Sequence, residues 1–181
     1  MTTYRLSPSG RRTTIVLLIG ALIIWAFAIW TLRSTLATDA PSPTIGQIIP
    51  ALLMIVLIIA TPLVVWNLLE EWSAAYTPAD DGLRFTALGI DLIYPWAGIA
   101  RLRAVDDDTD EPMHELLFNA DYTSSIRNPL LRFLHAQAYG RTKLPIYAGL
   151  AERDALIAEI HRQAPLLESA PAPSASAESR V

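Results

Sequence analysis

Two long runs of apolar residues dominate the pattern of the chain, the first from Thr13 to Leu32 and the second from Pro50 to Leu69. Each run holds 20 residues without a charged side chain. An α-helix rises about 1.5 Å per residue, so a helix of this length spans about 30 Å, the thickness of the hydrocarbon core of a bilayer. The pattern therefore predicts a hairpin of two transmembrane helices, at residues 13–33 and 45–69.

Beyond the second run the pattern changes to short stretches in which apolar and polar residues alternate, as they do in half-buried β-strands. Strands are predicted at residues 83–88, 90–94 and 99–105, with Gly89 allowing a reversal between the first two. Three such strands in succession predict an antiparallel meander. A fourth strand is expected at residues 115–122.

Two short helices are predicted in the second half of the chain. Residues 126–139 contain the first, because Asn128 and Pro129 suit the start of a helix and apolar residues follow at helical spacing. Residues 150–163 contain the second, with an apolar stripe suited to covering the open end of a sheet. The tail at 168–181 is rich in Ala, Ser and Pro and is predicted to be disordered.

Charge separates the chain into a basic N-terminal flank and an acidic remainder. Arg5, Arg11 and Arg12 precede the first apolar run, whereas residues 70–168 hold nine basic and sixteen acidic residues. The first run is too long for the hydrophobic region of a cleaved signal peptide, so it is interpreted as an anchor. Because Lys and Arg collect on the cytoplasmic side of membrane helices, both termini are predicted to be cytoplasmic. The acidic remainder argues against nucleic acid as a partner, since phosphates are bound through clustered Lys and Arg.

Pro62 lies well inside the second apolar run and is predicted to kink its helix, because proline removes one backbone donor and clashes with the preceding turn. A neighbouring helix or the hydroxyl of Thr61 can compensate for the missing donor. Two interpretations stay open, a static kink that lets the helices pack and a gate. Neither run contains Asp, Glu, Lys, Arg or His to line a pathway, which favours the static kink.

No group of residues in the sequence predicts catalysis, a cofactor or a metal site. The three histidines, His114, His135 and His161, lack the spacing of a helical metal site and are interpreted as surface residues. The acidic run at 106–111 is interpreted as a solvated loop, because it lacks the central glycine and distal glutamate of a calcium loop. The chain has no cysteine and no glycine-rich phosphate-binding motif. We therefore do not expect an enzyme.

Two pairs of residues allow either a structural or a binding role. Tyr94 and Trp96 stand beside a predicted turn and are interpreted as core residues rather than as an aromatic ligand platform. Arg101 and Arg103 share one face of a predicted strand and are interpreted as partners of nearby acidic residues rather than as contacts to an anionic head group.

The sharpest candidate site is the stretch 122–151, which is basic although the surrounding sequence is acidic. Its four cations are Arg127, Arg132, Arg141 and Lys143. The predicted helix adds the apolar side chains of Leu130, Leu131, Phe133 and Leu134. A basic amphipathic helix is typical of segments that lie at a bilayer surface, where each cation near an anionic leaflet contributes about 1 kcal/mol. In the alternative interpretation the apolar side chains pack on the β domain while the cations face solvent.

The residues after the hairpin resemble a known family. Asp81-Gly-Leu-Arg-Phe, Gly89 and Tyr94-Pro-Trp-Ala-Gly-Ile, followed by the segment 144–160, are similar to the bacterial pleckstrin-homology-like (PH-like) domain, which is commonly joined to two membrane helices. The resemblance covers about residues 72–164. It implies two packed, nearly orthogonal β-sheets closed at one end by a C-terminal helix, and the helix predicted before the last strand departs from that pattern.

The expected fold is that of an α+β membrane protein, in which a two-helix transmembrane hairpin precedes a PH-like β-sandwich or barrel with a C-terminal helix. The expected divisions are a cytoplasmic N-terminus at 1–12, transmembrane helices at 13–33 and 45–69, an external loop at 34–44, a cytoplasmic PH-like domain at 72–164 and a disordered tail at 168–181.

Membrane anchors without a catalytic motif favour a binding role. The chain is expected to be a module of the inner cell membrane whose PH-like domain holds a protein or an anionic lipid at the cytoplasmic surface. The alternative is an accessory subunit that packs into a larger membrane complex through its hairpin. Expected partners are membrane lipids and other membrane proteins or further copies of the chain, with no nucleic acid and no small-molecule substrate.

Overall fold

A computed structural model describes residues 2–37, 45–105 and 113–164 of the chain. In chain order the helices and strands are β1 (Tyr4–Arg5), α1 (Pro8–Leu36), α2 (Ile45–Ser73), β2 (Ala75–Pro78), β3 (Gly82–Ala87), β4 (Ile90–Pro95), β5 (Ile99–Ala104), β6 (His114–Phe118), α3 (Pro129–Tyr139), β7 (Lys143–Ile146) and α4 (Arg153–Gln163). The predicted acidic loop at 106–111 and the predicted tail at 168–181 lie outside the described residues, as does most of the predicted loop at 34–44.

α1 and α2 are long apolar helices that pack along each other. Both are long and apolar enough to cross a membrane, over Pro8–Thr35 and Ile48–Ser73. Large hydrophobic side chains are exposed along both helices, for example Val16 on α1 and Ile59 on α2. An apolar surface of this extent marks a region that a membrane or another protein covers.

Both helices are longer than the apolar runs predicted. α1 starts at Pro8 because the hydroxyl of Ser7 caps it, accepting a hydrogen bond from the backbone N–H of Gly10 at 3.0 Å. α2 continues beyond Leu69 to Ser73, so its last turns carry polar side chains into the β domain.

α1 provides a hydrogen-bond donor for a backbone carbonyl that Pro62 leaves without one. Pro62 lies inside α2 and has no N–H to donate to the carbonyl of Ile58, one turn earlier. The indole Nε1 of Trp25 on α1 donates to that oxygen at 3.1 Å. The hydroxyl of Thr61 donates to the carbonyl of Leu57 at 2.7 Å. The neighbouring helix therefore compensates for the proline, and the two helices are joined at this level.

Replacing Trp25 by Phe is expected to destabilise the packed hairpin by about 0.6–1.7 kcal/mol, the scale of hydrogen bonds between membrane helices. The carbonyl of Ile58 would lose its donor in an apolar setting. Changing Pro62 to Ala restores a backbone donor, so the Trp25→Phe substitution should have a smaller effect in that background. Thermal unfolding of the full chain in nanodiscs, followed by circular dichroism, measures both effects. Trp30→Phe, at an exposed position, is the matched control, and equal effects of Trp25→Phe with and without Pro62 would contradict the contact.

The strands form two antiparallel sheets, with the orders β1-β2-β3-β4 and β5-β6-β7. β3 and β4 confirm the first two predicted strands, and their register places Phe85 opposite Leu92. Leu83, Phe85 and Ala87 are buried on one face, as their alternation predicted. β6 confirms the fourth strand, although it ends at Phe118 rather than at residue 122.

The predicted three-stranded meander is wrong, because β4 and β5 belong to different sheets. A 3₁₀ turn at Trp96–Gly98 separates them. Trp96 is buried in this turn, and its indole Nε1 donates to the carbonyl of Ala79 at 2.9 Å. The anchored indole turns the chain away from the first sheet, so β5 pairs with β6 instead. The burial of Tyr94 and Trp96 confirms that both are core residues.

The N-terminal segment is part of the β domain, which the sequence did not predict. β1 pairs antiparallel with β2, and Tyr4 lies opposite Tyr76. Leu6 is buried and forms an isolated bridge with Leu150. Residues 4–6 of the N-terminus expected at 1–12 therefore pack on the β domain. The N-terminal strand and the β domain lie at the same end of the hairpin.

The core of the β domain joins both sheets and the C-terminal helix. Tyr94 of β4 stacks on Phe118 of β6, with ring centroids 4.2 Å apart and ring planes 7° apart. α4 adds Leu156 and Ile160, which are fully buried. This helix begins later than the predicted residue 150, because Glu152 precedes it in a left-handed conformation with a φ of 54°.

Candidate membrane-interface site

α3 carries the apolar part of the basic stretch and has clear start and stop signals. The side-chain oxygen of Asn128 accepts hydrogen bonds from the backbone N–H groups of Leu130 at 2.9 Å and Leu131 at 3.4 Å. Gly140, with a φ of 86°, follows the last helical residue. The helix that the sequence predicted within 126–139 is confirmed as Pro129–Tyr139.

α3 has an inner face that packs on the molecule and an outer apolar face. Leu131 packs against the core and His135 is fully buried. Leu130 and Phe133 are each 61% exposed. The alternative in which these apolar side chains pack on the β domain is therefore wrong for Leu130 and Phe133.

The fold brings two of the four predicted cations together. Arg132 on α3 and Arg141 beyond its end line a cavity of about 460 Å³, which Asp121 and Phe133 also line. Both arginines are exposed. Within residues 2–37, 45–105 and 113–164 neither forms an ion pair. Positive charge and an exposed aromatic ring therefore share one surface.

Asp121 is a charged neighbour of these arginines. The hydroxyl of Thr123 donates to its carboxylate at 2.6 Å, and this hydrogen bond holds the pKa of Asp121 below its usual value. The backbone N–H of Thr123 and the charges of Arg141 and Arg132 act in the same direction. The cavity therefore carries two positive charges against one negative charge.

The other two predicted cations lie apart from this cavity. Arg127 is exposed in the segment before α3. Lys143 begins β7, and its ammonium lies 3.4 Å from the carboxylate of Glu115. Arg103 also donates to Glu115, at 2.7 Å, which confirms the surface pairing expected for Arg103. Lys143 therefore shares its acidic partner with Arg103, and the charge of Glu115 offsets part of the positive charge that Lys143 could present to a ligand.

A buried carboxylate and a buried histidine connect α2 to α3. Nδ1 of His135 lies 2.5 Å from Oε1 of Glu70, and both side chains are fully buried. The indole Nε1 of Trp66 donates to the other carboxylate oxygen of Glu70 at 3.0 Å. Nε2 of His135 has no hydrogen-bond partner among the described residues. The pair holds α3, and with it the exposed Leu130 and Phe133, against the end of α2.

The interpretation of His135 as a surface residue is wrong. One signal in the sequence indicated a buried position, because His135 follows Leu131 by four residues and so lies on the same face of α3. A polar side chain on an inner face needs a partner. That partner, Glu70, lies 65 residues away in the sequence, and no local pattern connects the two.

The surface around α3 combines exposed positive charge with exposed apolar side chains. Among the described residues no group of three or more His, Cys, Asp or Glu is placed to hold a metal ion. Arg132 and the exposed apolar side chains of α3, with Arg141 beyond its end, suit contact with an anionic, partly apolar partner. Comparison of the chain with protein-family models, with curated proteins and with solved structures finds no match.

Proposed function

We propose that this chain is a membrane-anchored binding module that holds an anionic lipid, or a protein partner, at the cytoplasmic surface of the inner membrane without catalysing a reaction. The outward surface of α3 carries the proposal. Leu130 and Phe133 lie exposed there beside Arg132, on a helix that the Glu70–His135 pair fixes to the end of α2.

The position of α3 relative to the hairpin supports a membrane contact. α2 is a candidate membrane span, and Glu70 lies close to its end at Ser73. α3 is thereby held near the level at which the hairpin would leave the bilayer. Arg5, Arg11 and Arg12 lie at the same end of the hairpin as the β domain, which favours the cytoplasmic side.

The chemistry of the exposed face favours an anionic lipid. Exposed Leu and Phe side chains enter the boundary between head groups and acyl chains, while nearby Arg side chains stay with the phosphates. Each cation near an anionic leaflet contributes about 1 kcal/mol. Because the hairpin already holds the domain at the membrane, the local lipid concentration is high and weak contacts suffice to orient it.

The architecture supports the resemblance to the bacterial PH-like family. Two antiparallel sheets followed by a C-terminal helix agree with part of the arrangement that this resemblance implies. α3, between β6 and β7, is the departure from the family pattern that the sequence indicated.

A fluorescent probe on α3 tests the proposal. Gln137 is exposed and lies on the same face as Leu130 and Phe133, and the chain has no native cysteine, so Gln137→Cys gives a single labelling site for an environment-sensitive dye. In nanodiscs that contain anionic lipid, the dye emission should shift to the blue relative to neutral nanodiscs. The shift should decrease as salt rises.

Charge variants of the labelled protein give the matched control. Changing Arg127, Arg132, Arg141 and Lys143 to Gln should abolish the response to anionic lipid. Changing Arg84 and Arg162 to Gln removes two exposed cations outside the stretch 122–151 and should leave it intact. A response that is the same in neutral and anionic nanodiscs, or that survives the fourfold change, would overturn the lipid contact.

A further inference from the structure

Another cavity, of about 700 Å³, lies where α1 and α2 meet the β domain. The first turns of α1 and the last turns of α2 form two of its walls, and the loop after β7 contributes Tyr147 and Gly149. Both helices are candidate membrane spans with their ends at this level. In the proposed membrane location the cavity therefore lies at the depth of the lipid head groups.

The part of this cavity closest to the β domain offers hydrogen-bond acceptors. Oδ1 of Asn67 is buried and has no hydrogen-bond partner among the described residues. Glu71 lies one turn further along the same face of α2 and also lines the cavity. Thr14, a buried residue of the lining, already donates its hydroxyl to the carbonyl of Gly10 at 3.0 Å, so it has no further donor for a ligand. Within the described ranges no Lys or Arg lines the cavity. These walls are complementary to a cation with N–H groups.

The part deeper along the helices is apolar. Leu17 on α1 and Val64 on α2 line it, and both lie further into the candidate spans than the polar side chains do. The first turn of α1, at Ser9 and Gly10, borders the polar part. The N-terminus of a long helix carries a partial positive charge that favours a phosphate group.

We propose that this cavity binds one phospholipid with a primary amine in its head group, of the ethanolamine type. This inference rests on the membrane location in the proposed function. The ammonium group donates hydrogen bonds to Asn67 and Glu71, and the phosphate lies at the start of α1. The part of an acyl chain nearest the head group runs along Leu17 and Val64. A choline head group fits less well, because its quaternary nitrogen has no N–H to donate to Oδ1 of Asn67.

Native mass spectrometry of the full chain in mild detergent tests this site. The probes are an ethanolamine, a choline and an anionic glycerol phospholipid with the same acyl chains, added at equal concentration. One ethanolamine lipid should be retained, about tenfold or more in preference to the choline lipid, as expected for charge-assisted hydrogen bonds. Equal retention of the two, or a preference for the anionic lipid, would overturn the inference.

Substitutions at the polar end assign the preference to this cavity. Glu71→Gln keeps the shape of the side chain and removes its charge, and Asn67→Leu removes the unpaired acceptor; each should reduce retention of the ethanolamine lipid to that of the choline lipid. Glu152→Gln, on an exposed side chain outside the cavity, should have no effect. Retention by Glu71→Gln equal to that of the parent would contradict the proposed role of the carboxylate.

The two proposals fail in distinguishable ways. If the dye at position 137 responds to anionic lipid while ethanolamine and choline lipids are retained equally, the proposed contact of α3 with anionic lipid is supported and the cavity inference is wrong. If the ethanolamine lipid is preferred while the dye does not respond, the cavity stands and the anionic-lipid contact is wrong.

Discussion

Replacing His135 by Leu is expected to lower the free energy of unfolding of the β domain by about 3–5 kcal/mol, because it leaves the Glu70 carboxylate buried without its partner. Both side chains are fully buried, so water cannot take the place of the imidazole without opening the contact between α2 and α3. Hydrogen exchange of the full chain in detergent micelles, read at the amides of β3 and β6, measures the loss.

The double variant Glu70→Met with His135→Leu isolates the interaction between the two side chains from their contacts with other residues. Removing both partners of a buried pair leaves neither of them unpaired, so part of the loss should be recovered. A remainder of about 1–3 kcal/mol is expected, because the indole N–H of Trp66 loses its acceptor. His161→Leu, at an exposed histidine, is the matched control and should change stability little. Equal effects at His135 and His161, or additive effects in the double variant, would contradict the buried pair.

Replacing Phe118 by Ala is expected to destabilise the β domain by about 3–5 kcal/mol, the usual range for a buried aromatic residue. Phe118 is 6% exposed, stacks on Tyr94 from the other sheet and makes an edge contact with Tyr122. Its loss leaves a cavity at the junction of the two sheets. Thermal unfolding of the full chain, followed by tryptophan fluorescence, should show a fall in midpoint of about 12 °C or more.

Phe133→Ala makes the same substitution at a side chain that is 61% exposed. It should change stability by about 0.5 kcal/mol or less. In the labelled protein it should also weaken the response of the probe to anionic nanodiscs, because Phe133 belongs to the surface proposed to enter the bilayer. Similar losses of stability at Phe118 and Phe133 would show that the stack does not hold the sheets together.

Local patterns were sufficient for most of the helices and strands. The apolar runs predicted α1 and α2, alternation predicted β3, β4 and β5, and the cap at Asn128 with the stop at Gly140 delimited α3. Each of these signals lies within one element, where spacing alone decides which face is apolar. The four cations of the candidate site were also evident, because a stretch without acidic residues is a property of the sequence itself.

Contacts between segments that are distant in the sequence decided the features of the fold that local patterns did not predict. β1 is only two residues long, too short to show a pattern, and it exists because β2 offers it an edge. The assignment of β4 and β5 to different sheets depends on where the indole of Trp96 is anchored. The donor to the carbonyl of Ile58, which Pro62 leaves without one, and the partner of His135 likewise lie on other helices.

The sequence by itself determined that the chain has two helices fit to span a membrane, an antiparallel β domain and a basic amphipathic segment at 122–151, because these follow from local hydrophobic period and charge. Only the tertiary structure decided that Leu130 and Phe133 face outward while His135 faces Glu70. The physical reason is that a helix with apolar residues on two faces can bury either one. The requirement to pair a buried carboxylate selects the face that carries the histidine.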